Sequence, residues 1–457
     1  MLKKKFSFGL VGIGTMGKNL VLNMSDHGYS VAAIDRDREQ VERLRQEAKG
    51  RDILATNDIG EFIHSLDQPR SILILVPAGK IVDKVIEEYL PHLTPGDLLI
   101  DCGNSHFTDT DIRTSKLALA NIHFMGVGIS GGSLGARNGP SIMPGGSESI
   151  YKRVAPMWEA IAAKVDGESC AMWLGSGSAG HYTKMVHNGI EYGLMQLISE
   201  AYHVLKIAGG LSNDDLHSVF SEWNEGKLHS YLLEITAKIF AQPDDLTSER
   251  LIDMILDSAH QKGTGSWASA DAMNLQIPVM VIDLAVAMRD LSALKSDRLK
   301  AEHILSGPGK SFSGDPTALV ENAKDALYCS MIIAFAQGMS LLQAASGAYH
   351  YGLNLEHIAR IWRGGCIIRA TILEDIRKAY QKQPQLTNLL LDENISDQLN
   401  HSHNALRKII QVGIEAGIPL PAMMASLSYY DSYRSGWLPA NLIQAQRDFF
   451  GAHTYER

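Results

Sequence analysis

Five polar residues in the middle of the chain recur at helical spacing: Lys184, His187, Asn188, Glu191 and Tyr192. At roughly 100° of rotation per residue they share one face of a single helix, with Glu191 about two turns beyond Lys184. A helix that only packs should carry an apolar stripe there, so this polar stripe indicates either a solvated surface or a site. A lysine whose pKa is lowered by burial can act as a base, and a carboxyl group can act as an acid. That pair suits chemistry on a hydroxy acid.

A second candidate site is the glycine cluster near the start of the chain, Gly12-Ile13-Gly14-Thr15-Met16-Gly17, which fits G-x-G-x-x-G. It follows a predicted strand and opens a predicted helix, a context that favours dinucleotide binding over a simple glycine turn. The first glycine allows a tight turn, the second lets the backbone approach a pyrophosphate, and the third lets helix and strand pack closely. Free N–H groups at the helix N-terminus would then face the phosphates.

Asp35 ends the next predicted strand, about 20 residues beyond this motif. A carboxylate there can accept both ribose hydroxyls of NAD and would repel the 2′-phosphate of NADP. Arg36 leaves an alternative open, because its guanidinium could pair with that phosphate, stack on adenine, or be an exposed charge at a strand end. Asp37 adds further negative charge. We therefore expect NAD or NADP as cofactor, with NAD slightly favoured.

Two glycines favour a site over a solvated surface for the helical stripe. Gly180 and Gly189 are predicted to leave room for a ligand to approach the helix backbone. The helix also begins where the nucleotide-binding segment should end, which predicts that its first turns face an interdomain crevice.

The elements that must position these residues change in kind along the chain. Short apolar runs first alternate with helical patterns, which predicts parallel βαβ units and an α/β, doubly wound, Rossmann-type domain. The predicted strands are 6–11, 29–34, 71–76, 98–101, 122–129 and 171–174. Helical patterns then dominate, over 180–208, 213–241, 247–259, 277–303, 316–347, 354–382 and 397–416. We expect a dinucleotide-binding domain over 1–178, a large all-α substrate and dimerisation domain over 179–435, and a short C-terminal tail over 436–457.

Composition excludes several classes of function. Fifty-one acidic residues against 42 basic ones give a net charge of −9, which argues against nucleic acid as a partner. The four cysteines lie outside metal-binding spacings, so we expect no metal site and a reducing, cytoplasmic location. An uninterrupted apolar run of roughly 18 residues is missing, so we expect no membrane-spanning helix.

Seven stretches carry a family resemblance: GTMGKNLVLNMSDHGY (14–29), DCGNSHFTDT (101–110), SGGSLGARNGPSIMPGG (130–146), AGHYTKMVHNGIEYGLMQLI (179–198), QKGTG (261–265), WRGGCIIRA (362–370) and LPANLIQAQRDFFGAHTYE (438–456). They resemble, in the same order, motifs of the decarboxylating 6-phosphogluconate dehydrogenases of the pentose phosphate pathway. The resemblance implies oxidative decarboxylation of 6-phospho-D-gluconate to D-ribulose 5-phosphate and CO₂, with reduction of NAD(P)⁺. It also implies that Lys184 is the general base and that Glu191 is the acid that protonates the product carbon.

The same resemblance implies the binding residues. Besides 12–17 and 35–37, the implied cofactor residues are Val76, Pro77, Ala78 and Asn104. The implied substrate residues are Asn104, Ser130, Gly131, Gly132, His187, Asn188, Tyr192, Lys262, Arg289, Arg447 and His453. Arg447 and His453 match tail residues that reach the partner subunit's site, so the resemblance implies a homodimer.

Several positions depart from the family pattern. Asp35-Arg36-Asp37 replaces the common Asn-Arg-Thr or Asn-Arg-Ser, and Pro77 replaces the lysine of Val-Lys-Ala. Both changes remove features that suit an extra phosphate. Both changes therefore favour NAD over NADP. Ser133 and Ser266 stand where an acidic residue and a second lysine are common, which leaves the fine positioning of substrate open.

Two alternatives remain. One is a related β-hydroxyacid dehydrogenase acting on a smaller acid such as 3-hydroxyisobutyrate, but the length of 457 residues and the tail motif count against it. The other is a non-catalytic nucleotide-sensing protein, which would be expected to have lost Lys184 or Glu191.

Overall fold

Strands and helices alternate in the first part of the computed structural model, which describes residues 5–261, 263–309 and 312–457. The strands are β1 (Phe8–Val11), β2 (Val31–Ile34), β3 (Ile53–Thr56), β4 (Ser71–Ile74), β5 (Leu98–Asp101), β6 (His123–Ser130), β7 (Ser141–Pro144), β8 (Lys164–Val165) and β9 (Glu168–Ser169). The helices are α1 (Thr15–Asp26), α2 (Arg38–Glu47), α3 (Ile59–Ser65), α4 (Lys80–Tyr89), α5 (Phe107–Ala118), α6 (Gly132–Asn138) and α7 (Glu148–Ile161).

One sheet organises this region, with the strand order β3-β2-β1-β4-β5-β6-β7. Strands β1 to β6 are parallel to their neighbours, and β7 is antiparallel to β6. Every residue of β1, β2, β4 and β5 is buried, as expected for a parallel sheet covered by helices on both faces. The strand order reverses between β1 and β4, so the loops after these strands flank the crevice in which such sheets bind ligands. This architecture confirms the predicted Rossmann-type class.

Three strand assignments in this sheet differ from the sequence-based prediction. Strand β7 was missed, although all four of its residues are buried. The edge strand β3 was also missed, and only two of its four residues, Ala55 and Thr56, are fully buried. The strand predicted over 171–174 was wrong. Ala171 and Gly175 form only isolated bridges to Ile142 and Gly145, so this segment runs beside β7 without pairing continuously.

Helices make up the second part of the chain. They are α8 (Ala179–Ile207), α9 (Asn213–Asn224), α10 (Tyr231–Ala241), α11 (Leu251–Met254), α12 (Thr264–Asn274), α13 (Met280–Ala293), α14 (Lys295–Ile304), α15 (Pro316–Ala348), α16 (Leu355–Trp362), α17 (Ile372–Lys382), α18 (Glu393–Ala416), α19 (Pro421–Tyr433) and α20 (Ala440–Gly451). The long helices α8 and α15 pack on each other, and α18 and α19 pack against α15. This part confirms the predicted large helical domain, and the predicted tail contains the helix α20.

Three segments that were predicted as single helices are each divided in two. The segment 277–303 forms α13 and α14, which are separated at Leu294. The segment 213–241 forms α9 and α10, because Ser230 caps a new helix by accepting a hydrogen bond from the Leu233 N–H. The segment 354–382 forms α16 and α17, with Gly364 and Gly365 between them. Gly365 has a φ of +70°, which a right-handed helix cannot accommodate.

One helix among the described residues, α15, is long and apolar enough to span a membrane by length and composition. The sequence-based expectation overlooked it because Ser and Gln residues interrupt its apolar run. Its apolar window is 89% buried inside the protein, which is the environment of a core helix packed against other helices.

Gly180 lets the start of α8 lie directly on the sheet. A Cβ atom at this position would approach Met143 O at 2.3 Å, Gly126 O at 2.4 Å and Gly145 N at 2.6 Å. Gly189 similarly faces Ala268 and Ile282. The prediction that these two glycines leave room for a ligand was therefore wrong, because both allow α8 to pack closely against protein.

Replacing Gly180 with alanine is expected to lower the free energy of unfolding by roughly 1–3 kcal/mol, because the three clashing atoms belong to the backbone. Urea unfolding monitored by circular dichroism would measure the change. Gly347→Ala in α15 is the matched control, since a Cβ there meets no atom within 4 Å. Alanine at that position should be neutral or stabilise by up to about 1 kcal/mol. Equal unfolding midpoints for the two variants would contradict this packing argument.

Candidate active site

The loop between β1 and α1 has the backbone geometry of a phosphate-binding turn. Gly12 has a φ of +101°, and a Cβ there would lie 2.5 Å from Leu75 O. A Cβ on Gly17 would lie 1.9 Å from Gly12 O, so this glycine lets α1 pack on β1. Gly14 precedes α1 without a side-chain cap and has open space around it. A pyrophosphate could therefore approach the free N–H groups at the start of α1.

A cavity of about 340 Å³, here called the adenosine pocket, extends from this loop. Gly12, Asp35, Arg36, Lys84 and Glu88 are among its lining residues. Asp35 Oδ2 accepts a hydrogen bond from Ile13 N at 2.6 Å, and Asp35 Oδ1 accepts one from Asp37 N at 2.9 Å. These two bonds fix the carboxylate at the end of β2, where it can meet ribose hydroxyls.

Asp37 has a different position from its neighbours. Its exposed side chain caps α2 by accepting a hydrogen bond from Glu39 N at 2.8 Å. It is not among the residues that line the adenosine pocket, in the part of the chain that the structure describes. Asp35 and Arg36 are thus better placed than Asp37 to contact a nucleotide.

A larger cavity of about 950 Å³, here called the central cavity, lies between the sheet and the helices. Predicted site residues from both parts of the chain line it together: Met16, Val76, Pro77, Ala78, Asn104, Asn188, Glu191, Tyr192 and Arg289. The first turn of α1, the loop after β4 and three residues of the α8 stripe therefore share one cavity, whereas Lys184 and His187 are not among its described lining residues. A nucleotide and a second small molecule could meet there.

The polar stripe of α8 is buried, which excludes the solvated-surface alternative. Lys184, Asn188 and Tyr192 are each less than a tenth exposed, and His187 is fully buried. Gly128 of β6 makes room for the lysine, since a Cβ there would lie 2.4 Å from Lys184 Cβ. Polar groups buried at this density need partners or a function.

Hydrogen bonds connect the stripe to the end of β6 and the start of α12. Ser130 Oγ lies 3.2 Å from His187 Nε2, and Asn188 Oδ1 lies 3.0 Å from His187 Nδ1. Asn188 Nδ2 donates to Thr264 Oγ1 at 3.2 Å. The carboxylate of Glu191 lies 3.7 Å from His187 Nδ1. These contacts hold the side chains of one helix face in a fixed arrangement.

Burial lowers the pKa values of the two basic side chains of the stripe, Lys184 and His187, and raises the pKa of Glu191. It lowers the pKa of Lys184, although the charge of Glu191 partly opposes that shift. Burial also raises the pKa of Glu191, with Lys184 and Arg289 opposing the change. The pKa of His187 falls well below its usual value, because burial and then the nearby Lys184 disfavour the imidazolium. Neutral lysine and protonated glutamic acid are therefore both more accessible here than in water.

The Ser130–Gly131–Gly132 turn joins β6 to α6 beside the stripe. A Cβ on Gly131 would lie 2.4 Å from Gly365 O, so the WRGGCIIRA segment packs directly on this turn. Ile367 N also donates to Ser130 Oγ, at 3.4 Å. Gly132 has no atom near its missing Cβ, so the far side of the turn is open to solvent or ligand.

A guanidinium stacks at the far end of the stripe. Arg289 Cζ lies 3.4 Å from the centroid of the Tyr192 ring, a cation–π distance. Gly265 accommodates the same ring, since a Cβ there would lie 2.5 Å from Tyr192 Cδ2 and Cε2. Lys262, predicted to act at this end, lies outside the described residues. Ser266 bonds locally, donating to Gly263 O at 2.7 Å.

The loop that carries Asn104 is fastened by a buried carboxylate. Asp101 accepts hydrogen bonds from Gly103 N at 3.0 Å and Ser105 Oγ at 2.6 Å, and pairs with Arg113 at 3.3 Å. His181 of α8 reaches the same loop, with Nε2 3.0 Å from Asp101 O. The start of α8 and the Asn104 loop are thus held together.

The tail residues lie apart from these cavities. Arg447 donates to Gln444 at 3.0 Å within α20, and the His453 ring lies edge-on to Phe450 with centroids 6.2 Å apart. No residue of α20 is buried, and both side chains are exposed. Within a single chain, Arg447 and His453 do not complete the central cavity.

Several lining residues were not found from the sequence. His106, His260, Thr264 and Trp267 line the central cavity, and the Trp362 ring lies edge-on to His187 with centroids 5.5 Å apart. Thr264 and Trp362 sit inside the QKGTG and WRGGCIIRA motifs, which offered a signal. His106 sits inside the DCGNSHFTDT motif, which offered the same signal. Trp267 lies outside the quoted motifs, and its edge-on contact with His106 joins distant segments that no local pattern reveals.

Comparison with known proteins follows the same two-part division. The model of the NAD-binding domain of 6-phosphogluconate dehydrogenase matches residues 7–175. The model of the 6-phosphogluconate dehydrogenase C-terminal domain matches residues 180–457. Together the two models account for most of the chain, including the Rossmann-type sheet and the helices that follow it.

Curated relatives match over nearly full length. The NADP(+)-dependent, decarboxylating 6-phosphogluconate dehydrogenase of Bacillus subtilis is 50% identical, covering 99% of this chain and 97% of the relative. The decarboxylating 6-phosphogluconate dehydrogenase of Synechococcus elongatus is also 50% identical, covering 98% of this chain and 96% of the relative.

Solved structures give the same result. The 6-phosphogluconate dehydrogenase of Plasmodium falciparum, described in its apo form and with NADP⁺ or 6-phosphogluconate, has a TM-score of 0.94 and 42% identity. It covers 99% of this chain, and this chain covers 97% of it. A 3-hydroxyisobutyrate dehydrogenase from Salmonella typhimurium shares the fold alone, with a TM-score of 0.50, 18% identity and 69% coverage of this chain. The chain belongs to the 6-phosphogluconate dehydrogenase family, a family of decarboxylating oxidoreductases.

Proposed function

We propose that this protein oxidises and decarboxylates 6-phospho-D-gluconate, giving D-ribulose 5-phosphate and CO₂ while NAD(P)⁺ is reduced. One observation carries the proposal beyond family membership. Lys184 and Glu191 project from one buried face of α8, with pKa values shifted by burial towards a neutral base and a protonated acid. Glu191 lines the central cavity together with residues of the nucleotide-binding loops.

The bound cofactor would supply the hydride acceptor. Neutral Lys184 would take the proton of the substrate's 3-hydroxyl group as the hydrogen on C3 leaves as hydride. His187 and Asn188 would hold the neighbouring sugar oxygens, since both are fixed by hydrogen bonds on the same helix face. The product of this step is a 3-keto acid, in which the ketone is β to the carboxylate.

Loss of CO₂ then needs an acid near the ketone oxygen. The electrons of the breaking C1–C2 bond flow towards C3, and protonated Lys184 would return its proton to the oxygen there. Glu191 would protonate the former C2 of the resulting enediol, which becomes C1 of the ketose. The raised pKa of Glu191 supports this role, because it increases the fraction of the carboxyl group that still carries its proton.

Substrate orientation would come from the two ends of the stripe. The turn Ser130–Gly131–Gly132, beside His187, would hold the carboxylate region, and Asn104 would lie between substrate and nucleotide. Tyr192 and Arg289 would face the phosphate, with Lys262 and the partner subunit's tail completing that end. The stacking of Arg289 on Tyr192 supports the assignment, because it leaves a guanidinium on the cavity wall.

A comparison of two substrates distinguishes the proposed function from that of a related β-hydroxyacid dehydrogenase. Reduction of NAD⁺ and NADP⁺ would be followed at 340 nm with 6-phosphogluconate and, separately, with 3-hydroxyisobutyrate. The proposal expects turnover with the phosphorylated sugar acid and a kcat/KM at least about 1,000-fold lower with the smaller acid, whose missing phosphate leaves buried polar groups unpaired. Comparable values for both acids would contradict it.

For the cofactor, we propose that NAD is preferred over NADP. The carboxylate of Asp35 is fixed in the adenosine pocket by two backbone N–H groups, so it cannot easily turn away from a 2′-phosphate. Pro77 lines the central cavity where a lysine is common in the family, which removes a cation. The Bacillus subtilis relative is named as NADP(+)-dependent, so this chain would differ from it in cofactor choice.

Asp35→Asn is expected to shift the kcat/KM ratio of NAD to NADP by about tenfold towards NADP. The substitution removes the charge that repels a phosphate and weakens a charge-assisted bond to ribose, an effect of roughly 1.4 kcal/mol. Asp37→Asn is the matched control, because the asparagine can still cap α2 and the side chain lies outside the pocket lining. Steady-state kinetics with both cofactors would decide, and an equal shift in both variants would contradict the assignment to Asp35.

We also propose that the protein acts as a homodimer in which each tail completes the partner subunit's site. Large apolar side chains are exposed along α20 and its flanks, including Trp437, Leu442, Phe449 and Phe450. Further apolar residues are exposed at the ends of α13 and α14, including Leu294, Ile304 and Leu305. Patches of this kind usually mark interfaces.

Sedimentation at micromolar concentration should therefore give twice the chain mass of 50.0 kDa. Replacing Phe449 and Phe450 together with serine should shift the protein towards monomer and reduce activity in parallel. A fully active monomer would contradict the shared site. Ile112→Ser is a suitable control, since it removes another exposed apolar side chain from α5, away from the tail.

A further inference from the structure

Helix α4 presents two oppositely charged residues to the adenosine pocket. Lys84 and Glu88, one helical turn apart, both line it together with Asp35 and Arg36. Glu88 forms a hydrogen-bonded ion pair with Arg36, joining the end of α4 to the end of β2. The two residues are 52 positions apart in sequence, so the local cofactor motif gives no indication of this contact.

We infer that Glu88 determines cofactor specificity in this protein by holding Arg36 in an ion pair and so withholding its guanidinium from a 2′-phosphate. The inference rests on the proposed dehydrogenase function and names a residue that the nucleotide-binding motif does not contain. Arg36 is the residue that could most directly pair with a phosphate at this position.

The charges around the pocket explain why this pair matters. Asp35 and Glu88 each contribute a negative charge, and Arg36 and Lys84 each contribute a positive one. A phosphate entering beside Arg36 would have to replace Glu88 as its partner and would then lie near two carboxylates. An unphosphorylated ribose meets neither obstacle, and the paired guanidinium can still lie against adenine.

The pair is partly exposed, which limits the size of the effect. The Arg36 side chain is 77% exposed and that of Glu88 is 34% exposed. The hydrogen bond that Arg36 donates to Glu88 raises the pKa of Arg36, as expected for a carboxylate partner. Exposed ion pairs contribute up to about 1 kcal/mol, which corresponds to a change of roughly fivefold in a binding constant.

The test compares dissociation constants for NAD⁺ and NADP⁺, measured by calorimetry on the full-length protein and its variants. Glu88→Gln should strengthen NADP⁺ relative to NAD⁺ by about fivefold, because it frees Arg36 and removes one repelling charge. Glu87→Gln is the matched control. It removes the same charge from the residue of α4 that precedes Glu88. Glu87 pairs with Lys116 at 3.8 Å and is not among the described pocket-lining residues.

A second variant tests whether Arg36 transmits the effect. In an Arg36→Ala background, Glu88→Gln should change the ratio of dissociation constants by less than twofold. An unchanged ratio in the single variant, an equal shift in Glu87→Gln, or a full fivefold shift without Arg36 would each overturn the inference. Because the readout is cofactor binding, it decides this point even if 6-phosphogluconate is not oxidised, an outcome that would count against the proposed function alone.

Discussion

Replacing Lys184 with methionine is expected to reduce kcat for 6-phosphogluconate oxidation by at least about 1,000-fold, the upper range of what a positioned base contributes. Methionine has a similar length and suits a buried site, so the fold should be retained. The residue is 7% exposed and lies against Gly128. Stopped-flow measurement of NAD(P)H formation would determine the loss, and substrate binding should remain detectable by calorimetry.

The control for this variant lies on the same helix. Lys206→Met makes the same substitution in the last turn of α8, where Lys206 pairs with Asp253 and is not among the described residues that line the central cavity. That variant should retain activity within about twofold, as is usual for surface substitutions. Normal turnover in Lys184→Met, or an equal loss in both variants, would remove Lys184 from its proposed role.

The pH dependence of wild-type activity should also reflect the role of Lys184 as the base. Only neutral Lys184 can accept the hydroxyl proton, so kcat/KM should fall as the pH falls through the pKa of the lysine. Burial lowers that pKa below the usual 10.5, and activity should therefore persist at pH values below 10.5. The raised pKa of Glu191 extends the pH range in which the acid is protonated to values above 4.5. Because the two groups interact, the limbs of the profile belong to the pair.

Glu191→Gln is the second change with a large expected effect. The amide cannot deliver a proton to the enediol, so formation of ribulose 5-phosphate should slow by at least about 100-fold. Oxidation should suffer less, because Lys184 and the cofactor site remain. Rapid-quench analysis in deuterated water should show accumulation of the enediol after CO₂ release, and slow incorporation of deuterium at C1 of the ketose.

An exposed glutamate provides the comparison for this variant. Glu222→Gln lies on α9, where the side chain is 72% exposed, and should leave both phases of the reaction unchanged. Deuterium incorporation at the wild-type rate in Glu191→Gln would show that another group protonates C1. A loss confined to the hydride step would equally contradict the proposed division of labour between Lys184 and Glu191.

Local periodicity in the sequence was enough to predict much of the fold and of the candidate site. The stripe on α8 and the turn at Gly12 depend on spacing within one helix or one loop, so the sequence alone could predict them. Burial of that stripe could not be predicted from spacing, since it depends on β6, α12 and α13 packing around α8. The same limitation explains the error at Gly180 and Gly189, where the space beside each glycine is filled by protein.

Other features could not be predicted because they depend on contacts between residues that are distant in sequence. The pairing of Arg36 with Glu88 and the approach of His106 to Trp267 join segments that are remote in sequence. The short helix α11 was also difficult, because its four residues are too few to establish a helical period. The sharp divisions at Ser230 and Gly365 depend on single residues whose effect becomes evident only with the backbone angles.

The product balance of the purified protein tests the central claim most directly. Incubation with 6-phosphogluconate labelled with ¹³C at C1 should release labelled CO₂ and form NAD(P)H and ribulose 5-phosphate, all in a ratio of one to one to one. The Lys184→Met variant should produce none of the three at a measurable rate. NAD(P)H formation without labelled CO₂, or no turnover by the wild-type protein with either cofactor, would contradict the proposed reaction.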